Sequence, residues 1–123
     1  MPISMVKWCA ADILAGLEHV HRLGYVHRDI KPDNILICTL LDSGQCQLVA
    51  KIGDPGSLSV THGVGAMTRP VCTAWYRAPE LYVQSAKASL RHGTVVDMWS
   101  CGVIIAELLI GRRVFDLTED LSE

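Results

Sequence analysis

The chain has 123 residues, a net charge of −2 and a hydrophobic content of 50%. This length allows one small domain with its own core, and the lack of a basic cluster argues against binding to nucleic acid or to a membrane surface. The longest apolar stretch, residues 98–110, is too short to cross a bilayer. Five scattered cysteines without a C-x-x-C pair fit reduced thiols in an intracellular protein, in the cytoplasm or the nucleus, better than a disulfide framework or a zinc site.

The first half of the chain predicts a helix followed by a hairpin. Apolar residues recur at helical spacing through residues 3–23, and Gly24 is suited to end that helix. His19 and His21 on this helix are two residues apart, so they are predicted to be packing or surface residues and not metal ligands. The stretch 25–34 contains Lys-Pro-Asp turn chemistry, which excludes a regular helix. Two β-prone runs, at 35–38 and 48–52, predict a small antiparallel hairpin.

The hairpin carries Asn34 at one end and Asp54 at the other, so these two polar residues are predicted to lie side by side. Beyond it, residues 57–69 are rich in Gly, Ser and Thr and predict a mobile loop. A short helix is predicted to begin at Ala78, and a strong apolar helix is predicted over residues 97–110. The fold class is therefore α+β and mainly α-helical.

Four short motifs follow one another in an order that points to phosphoryl transfer. They are His27-Arg28-Asp29-Ile30-Lys31-Pro32-Asp33-Asn34, Asp54-Pro55-Gly56, Thr73-Ala74-Trp75-Tyr76-Arg77-Ala78-Pro79-Glu80 and Asp97-Met98-Trp99-Ser100-Cys101-Gly102. In the first motif, one carboxylate can meet the hydroxyl that is phosphorylated, and five residues later an amide oxygen can hold a metal ion against the nucleotide phosphates. A lysine between them can neutralise charge on the transferred group.

The motifs resemble the large lobe of a eukaryotic protein kinase. The resemblance runs from about Ile3 to about Phe115, and Thr-x-Trp-Tyr-Arg-Ala-Pro-Glu looks most like the Ser/Thr-specific, proline-directed group of cyclin-dependent and mitogen-activated kinases. It implies a partial kinase domain over 1–123, built from helix 3–23, a catalytic loop at 25–34, a metal-binding hairpin at 35–56, an activation segment at 54–80 and helix 97–110. It also implies that ATP and Mg²⁺ are the cofactors and that a protein is the substrate. Relative to this family, the hairpin loop is several residues longer.

The resemblance assigns catalytic and ligand-binding roles to five residues. Asp29 is the candidate catalytic base, with capping of nearby turn amides as the structural alternative. Lys31 suits a Ser/Thr kinase because its ammonium can reach both Asp29 and the γ-phosphate. Asn34 and Asp54 are the candidate Mg²⁺ ligands, since both offer hard oxygens. Thr73 matches the threonine that bridges the base and the lysine. The structural alternative is that Thr73 supplies only an ordinary loop hydroxyl.

Regulatory and structural roles follow from the same resemblance. Arg28 is expected to bind a phosphate on the activation segment, and Thr68 is the candidate phosphorylation site, since an added charge of about −1.5 to −2 would dock the loop on that arginine. Arg77, with Cys72, is expected to shape the pocket for the residue after the target Ser or Thr. Asp97 is expected to hold the catalytic loop through its backbone, with helix N-capping as the alternative. The aromatic residues Trp75, Tyr76 and Trp99 are expected to lie in the core.

Three departures from the family pattern limit the expected activity. No glycine-rich phosphate loop or strand lysine precedes the helix at 3–23, so the nucleotide-binding small lobe is expected to be missing, and with it the docking helix for a cyclin-like regulatory subunit. Pro55 replaces the phenylalanine of the metal-binding motif and cannot fill the hydrophobic space against His27. The last helices of the large lobe, which carry the arginine that pairs with Glu80, are also absent from the sequence.

Two functions are therefore compared, beside the alternative of an unrelated small α/β fold in which the motifs are coincidental. The first is a Ser/Thr protein kinase of which this chain is a fragment that is inactive alone. The second is a non-catalytic kinase-like module that binds partners. Retention of Asp29, Lys31, Asn34 and Asp54 favours the enzyme, whereas Pro55 favours the binding module.

Overall fold

Two α-helices enclose a set of short strands and single-turn 3₁₀ helices in the computed structural model, which describes residues 1–42, 44–60, 74–82 and 93–115. The regular elements, in chain order, are α1 (Ile3–Arg22), β1 (Tyr25–Val26), β2 (Ile35–Asp42), β3 (Gln45–Ile52), β4 (Ser59–Val60) and α2 (Val95–Ile110). The 3₁₀ turns cover Pro32–Asn34, Pro55–Ser57, Ala74–Tyr76 and Pro79–Leu81. None of the helices in the described part of the chain is long and apolar enough to cross a membrane.

Helix α1 forms because apolar residues recur on one face, and that face is buried along Val6, Cys9, Ile13 and Leu17. The helix ends at Arg22, one residue before the predicted boundary. Gly24 follows with φ of 81°, and its N–H donates to the carbonyl of His21. The left-handed conformation carries no steric cost at glycine, which is why the helix can turn sharply here into β1.

Strands β1 and β4 pair antiparallel over two residues each, with Tyr25 opposite Val60 and Val26 opposite Ser59. The prediction of a mobile loop through 57–69 is therefore wrong at Ser59 and Val60, and residues 61–69 lie outside the described residues. Two residues are too few to give a period-2 pattern in the sequence. The pairing exists because the fold brings distant segments together.

The β2–β3 hairpin is longer than predicted. Its strands pair without interruption from Ile35 opposite Ile52 to Asp42 opposite Gln45, and Gly44 in the connection has φ of 81°. The extra residues relative to the family pattern therefore lengthen the ladder and not the loop. The physical reason is that each added pair contributes ladder hydrogen bonds and that Thr39, a β-branched residue, favours extended backbone.

Helix α2 begins two residues before the predicted start at 97 and ends at Ile110. Gly111 follows with φ of 74°, and its N–H donates to the carbonyl of Glu107 at 2.8 Å. Its buried face packs against α1, and the two helices share one apolar core. That core contains Cys9, Ile13, Leu17, Ile30, Ala50, Tyr76, Cys101, Val103 and Ile104. The core thus lies between the helices, with the catalytic-loop region along one side of it.

The aromatic residues divide differently from the prediction. Tyr76 is buried in the core, Trp75 is half-buried beneath the guanidinium of Arg113, and Trp99 is 40% exposed. The ring of Trp99 stacks on Phe115 with centroids 6.2 Å apart. The prediction that Trp99 is a core residue is wrong, because its position on α2 faces away from α1.

Candidate active site

One carboxylate, that of Asp97, binds the backbone of the predicted catalytic loop. Asp97 is fully buried; its Oδ2 accepts from the N–H of His27 and its Oδ1 from the N–H of Arg28, both at 2.8 Å. Arg28 has φ of 68°, a left-handed conformation that costs free energy in a residue with a side chain. Asp97 is the third residue of α2, and Thr94 occupies the N-cap position. The side chain of Asp97 therefore orders the loop and does not cap its own helix.

A third donor to Asp97 was missed in the sequence. The Nε2 of His21, in the last turn of α1, lies 2.8 Å from Oδ2 of Asp97. The prediction that His21 is a packing or surface residue is thus incomplete, since the side chain is part of the loop's support. No local signal could have revealed this contact, because 76 residues separate the two side chains in the chain.

Three side chains of the first motif meet around Asp29. The Nζ of Lys31 donates to Oδ2 of Asp29 at 2.8 Å. The Nδ2 of Asn34 donates to the carbonyl of Asp29 at 2.8 Å and to its Oδ2 at 3.3 Å. Both Asp29 and Asn34 are buried. The hydrogen bond with Asp29 raises the pKa of Lys31 despite its partial burial, and the charges of Asp29, Asp33 and Asp54 act in the same direction.

Asp54 is brought to the same place by the hairpin. The N–H of Gly53 donates to the carbonyl of Asn34 at 2.7 Å, which extends the β2–β3 register by one pair. Asp54 follows directly, with φ of 54°, and its exposed carboxylate accepts from the N–H of Gly56 at 3.3 Å. Its contribution to the pKa of Lys31 indicates that its charge acts on that ammonium. Asp29, Lys31, Asn34 and Asp54 thus form one cluster, although 25 residues separate the first from the last.

Asn34 and Asp54 offer oxygens of the kind that a magnesium ion binds. Because the amide nitrogen of Asn34 is held by Asp29, the amide is oriented and its Oδ1 remains as the acceptor end. The carboxylate of Asp54 supplies a second hard oxygen. No group of three or more His, Cys, Asp or Glu side chains within the described ranges could hold a metal. Two protein oxygens are nevertheless the usual protein share for Mg²⁺, which retains waters and binds substrate phosphates for the remainder.

His27 and Pro55 lie at the same cavity next to the predicted catalytic loop. The Nε2 of His27 lies 2.9 Å from the carbonyl of Gly53, so Nε2 carries the hydrogen. Its Nδ1 is buried without a partner among the described residues. Pro55 and His27 both line an open cavity of about 380 Å³ between α1 and β3.

The expected regulatory residues are only partly placed. The Nε of Arg28 is buried with no hydrogen-bond partner in the described part of the chain. Arg77 places its guanidinium 5.2 Å from the ring centroid of Tyr82, and Glu80 is half-buried in the 3₁₀ turn at Pro79–Leu81. Thr68, Cys72 and Thr73 lie outside the described residues.

The C-terminal end of the site is tied to the core by contacts that the sequence did not indicate. The Oγ of Ser100 donates to the carbonyl of Tyr76 at 2.7 Å, and the Tyr76 hydroxyl donates to Glu107 at 3.0 Å. Burial is the main cause that raises the pKa of Tyr76 to about 12, and Glu107 adds to it. These bonds fix the segment that contains Ala-Pro-Glu onto α2.

Comparison with known proteins agrees with this arrangement. The family model described as protein kinase domain matches residues 1–123. The chain belongs to the protein kinase family. Among its relatives, "Mitogen-activated protein kinase mpkC" of Emericella nidulans is 38% identical over 113 residues, which cover 91% of this chain and 24% of that protein.

Two further relatives carry names from both arms of the predicted group. "Mitogen-activated protein kinase 14" of Xenopus laevis is 37% identical over 96% of this chain and 29% of its own length. "Cyclin-dependent kinase F-4" of Oryza sativa is 37% identical over 95% of this chain and 23% of its own length. The expected resemblance to this group of kinases is confirmed. The chain spans less than a third of each of these kinases.

Proposed function

We propose that the chain is the large-lobe portion of a protein serine/threonine kinase, which transfers the γ-phosphate of ATP to a Ser or Thr hydroxyl of a protein. The single observation that carries the proposal is the hydrogen-bonded cluster of Asp29, Lys31 and Asn34 beside Asp54. Membership of the protein kinase family supports the same activity.

In this proposal Asp29 orients the acceptor hydroxyl and accepts its proton. Asn34 holds the backbone and carboxylate of Asp29 in position, so the carboxylate is pre-oriented before substrate binds. Lys31 remains protonated, because its pKa is raised, and can neutralise charge on the phosphoryl group. Thr73 is proposed to bridge these two residues.

Asn34 and Asp54 would hold Mg²⁺. When bound, the ion would neutralise the nucleotide phosphates and place the γ-phosphoryl group. The chain's own contribution is to hold the two ligands at the base of the hairpin, where the bond between Gly53 and Asn34 fixes their spacing.

Manganese provides a direct test of the metal site. Titration with Mn²⁺, a paramagnetic substitute for Mg²⁺, should selectively broaden the amide NMR signals of Asn34 and Asp54. The Asp54→Asn variant should lose this effect, while the matched control Asp33→Asn, which removes an exposed carboxylate from the same loop, should retain it. Broadening that is unchanged in Asp54→Asn would overturn the assignment of the ligands.

Phosphoryl transfer is tested on the chain joined to the sequence encoded on either side of it, because the kinases compared are several times longer. We expect transfer from labelled ATP to a peptide, and a loss of about 10²–10⁴-fold in rate for Asp29→Asn. If the extended protein binds Mg²⁺ and ATP but transfers no phosphate, the enzyme proposal fails. The 123-residue chain alone is expected to be inactive.

Preference for proline after the target residue is the finer part of the proposal. Support comes from Arg77, which matches the group's motif, and from relatives named as mitogen-activated and cyclin-dependent kinases. A Ser-Pro peptide should be phosphorylated faster than the matched Ser-Ala peptide. Phosphorylation at Thr68 that docks on Arg28, and a cyclin-like regulatory subunit, belong to the same proposal. Mass spectrometry that finds Thr68 unmodified in active protein would remove the first of these.

The alternative proposal is a non-catalytic kinase-like module. It is favoured by Pro55, which stands where the family has a phenylalanine and lines a cavity together with His27. Pro55→Phe distinguishes the two proposals in the extended protein. If the variant gains transfer activity that the natural sequence lacks, the natural protein is a binding module; if the natural sequence is already active, the enzyme proposal stands.

A further inference from the structure

The carboxylate of Glu107, in the last turn of α2, joins two separate segments of the chain. Its Oε2 accepts from the hydroxyl of Tyr76 at 3.0 Å, and its Oε1 accepts from the N–H of Val114 at 3.2 Å. Each oxygen of a carboxylate can accept a hydrogen bond of its own. Glu107 thereby connects the 3₁₀ turn at Ala74–Tyr76 to the segment that follows α2.

The turn at Ala74–Tyr76 has further contacts with the same part of the molecule. The Oγ of Ser100 donates to the carbonyl of Tyr76 at 2.7 Å, and the guanidinium of Arg113 lies 3.6 Å from the ring centroid of Trp75. Because the pKa of Tyr76 is raised to about 12, mainly by burial, its hydroxyl keeps the proton at neutral pH and remains a donor. The turn is therefore held at both its backbone and its side chains.

Arg77 directly follows this turn and depends on it. The N–H of Arg77 donates to the carbonyl of Ala74 at 3.3 Å, and its guanidinium lies 5.2 Å from the ring centroid of Tyr82. The hydroxyl of Tyr82 donates to the same carbonyl of Ala74. The backbone of Arg77 and the ring beside its guanidinium are thus both bound to Ala74, so the position of Arg77 follows the position of the turn.

We propose that Glu107 is a positioning residue for substrate selection: through Tyr76 it sets the position of Arg77, and with it the preference for proline after the target Ser or Thr. The inference rests on the proposed function, in which Arg77 shapes the pocket for that residue. Without the acceptor, the largely buried hydroxyl of Tyr76 lacks its partner, and this favours a shift of the turn. Glu107 itself does not touch the substrate in this proposal.

The groups that perform phosphoryl transfer are held by other hydrogen bonds. The side chain of Asn34 binds Asp29 within the catalytic loop, and Asp97 binds the backbone of that loop. Loss of the bond between Glu107 and Tyr76 leaves these hydrogen bonds in place. It should therefore change the discrimination between substrates more than the rate of transfer.

Tyr76→Phe in the extended protein tests the proposal, because it removes the hydroxyl and keeps the ring. We expect the ratio of kcat/KM for a Ser-Pro peptide to that for the matched Ser-Ala peptide to fall at least about threefold. The fall should come from a higher KM for the Ser-Pro peptide, with kcat changed by less than about twofold. Tyr25→Phe, the matched control at an exposed tyrosine, should keep the natural ratio.

Variants of Glu107 show whether it acts through Tyr76. Glu107→Ala should lower the ratio as Tyr76→Phe does, and the double variant should lower it no further, because both changes remove the same bond. Glu107→Gln should keep the ratio within about twofold of the natural value, since its amide oxygen can still accept from the hydroxyl.

Hydrogen exchange in the 123-residue chain gives a readout that does not need activity. The amide of Arg77 should exchange faster in Tyr76→Phe and Glu107→Ala, whereas the amide of Asn34, which donates to the carbonyl of Lys31, should keep its natural rate and so report an intact fold. Unchanged exchange at Arg77 would overturn the inference.

The kinetic outcomes separate this inference from the kinase proposal. Absence of transfer to either peptide would refute the proposed function and the inference with it. An active protein whose natural ratio is close to one, or whose ratio is the same in Tyr76→Phe and Glu107→Ala as in the natural protein, would overturn the inference and leave the kinase proposal in place. Additive effects in the double variant would show that Glu107 does not act through Tyr76 and would also overturn it.

Discussion

Removal of the Asp97 carboxylate should destabilise the protein more than any other single change at the candidate site. Three donors, each at 2.8 Å, depend on this side chain: the N–H groups of His27 and Arg28 and the Nε2 of His21. Asp97→Ala leaves these groups without their acceptor, and a stranded buried donor costs about 1–3 kcal/mol. The expected loss in the free energy of unfolding is therefore about 3–5 kcal/mol.

The Asp97→Asn variant should lose less stability than the Asp97→Ala variant. The amide has one oxygen, which can take the place of Oδ2 and keep His27 and His21, while its NH₂ group then faces the N–H of Arg28. One lost acceptor predicts a smaller decrease of about 1–3 kcal/mol. Domains of this size have about 5–15 kcal/mol of stability in total, so the alanine variant should be close to unfolding.

Urea unfolding followed by tryptophan fluorescence measures both changes as shifts in the midpoint at constant slope. Asp33→Asn is the matched control, because it removes an exposed carboxylate from the same loop, and should change stability by less than about 0.5 kcal/mol. A loss below about 1 kcal/mol in Asp97→Ala, or equal effects of the alanine and asparagine variants, would refute the reasoning about stranded donors.

Three further predictions concern ionisation and helix geometry. Burial raises the pKa of the Cys9 thiol. In the folded protein Cys9 should therefore react with a thiol reagent far more slowly than exposed Cys46. Peptide mass spectrometry measures both rates, and equal rates would contradict this prediction. The pKa of Tyr76 is raised to about 12, above its ordinary 10.0. Because the unfolded chain loses this proton first, the contribution of Tyr76 is complete below pH 10 and declines by roughly 2–3 kcal/mol as the pH rises to 12, a decline that should be absent in Tyr76→Phe. Gly111 has φ of 74° and open space where a Cβ would lie, whereas Gly102 lies within α2 with equally open space. Gly111→Ala should therefore lower stability by about 1 kcal/mol, and Gly102→Ala should raise it by about 0.5–1 kcal/mol. If the urea midpoints of the two variants move in the same direction, strain at Gly111 is not the cause.

The sequence predicted correctly those elements that depend on interactions between neighbouring residues. The apolar spacing of α1, the glycines after both long helices and the turn residues at Lys31-Pro32-Asp33 are all properties of neighbouring residues, and the structure places the corresponding elements within one or two residues of the predictions. The length of the hairpin was underestimated, because the boundary between a loop and a strand depends on whether a partner strand is in register.

The motifs alone identified the residues of the candidate site, but their arrangement depends on long-range contacts. Short spacing is enough to bring Lys31 and Asn34 to Asp29, since all three lie in one turn. The support of that turn by Asp97 and His21 depends on how α1 packs against α2, and no pattern of neighbours encodes a contact across 76 residues.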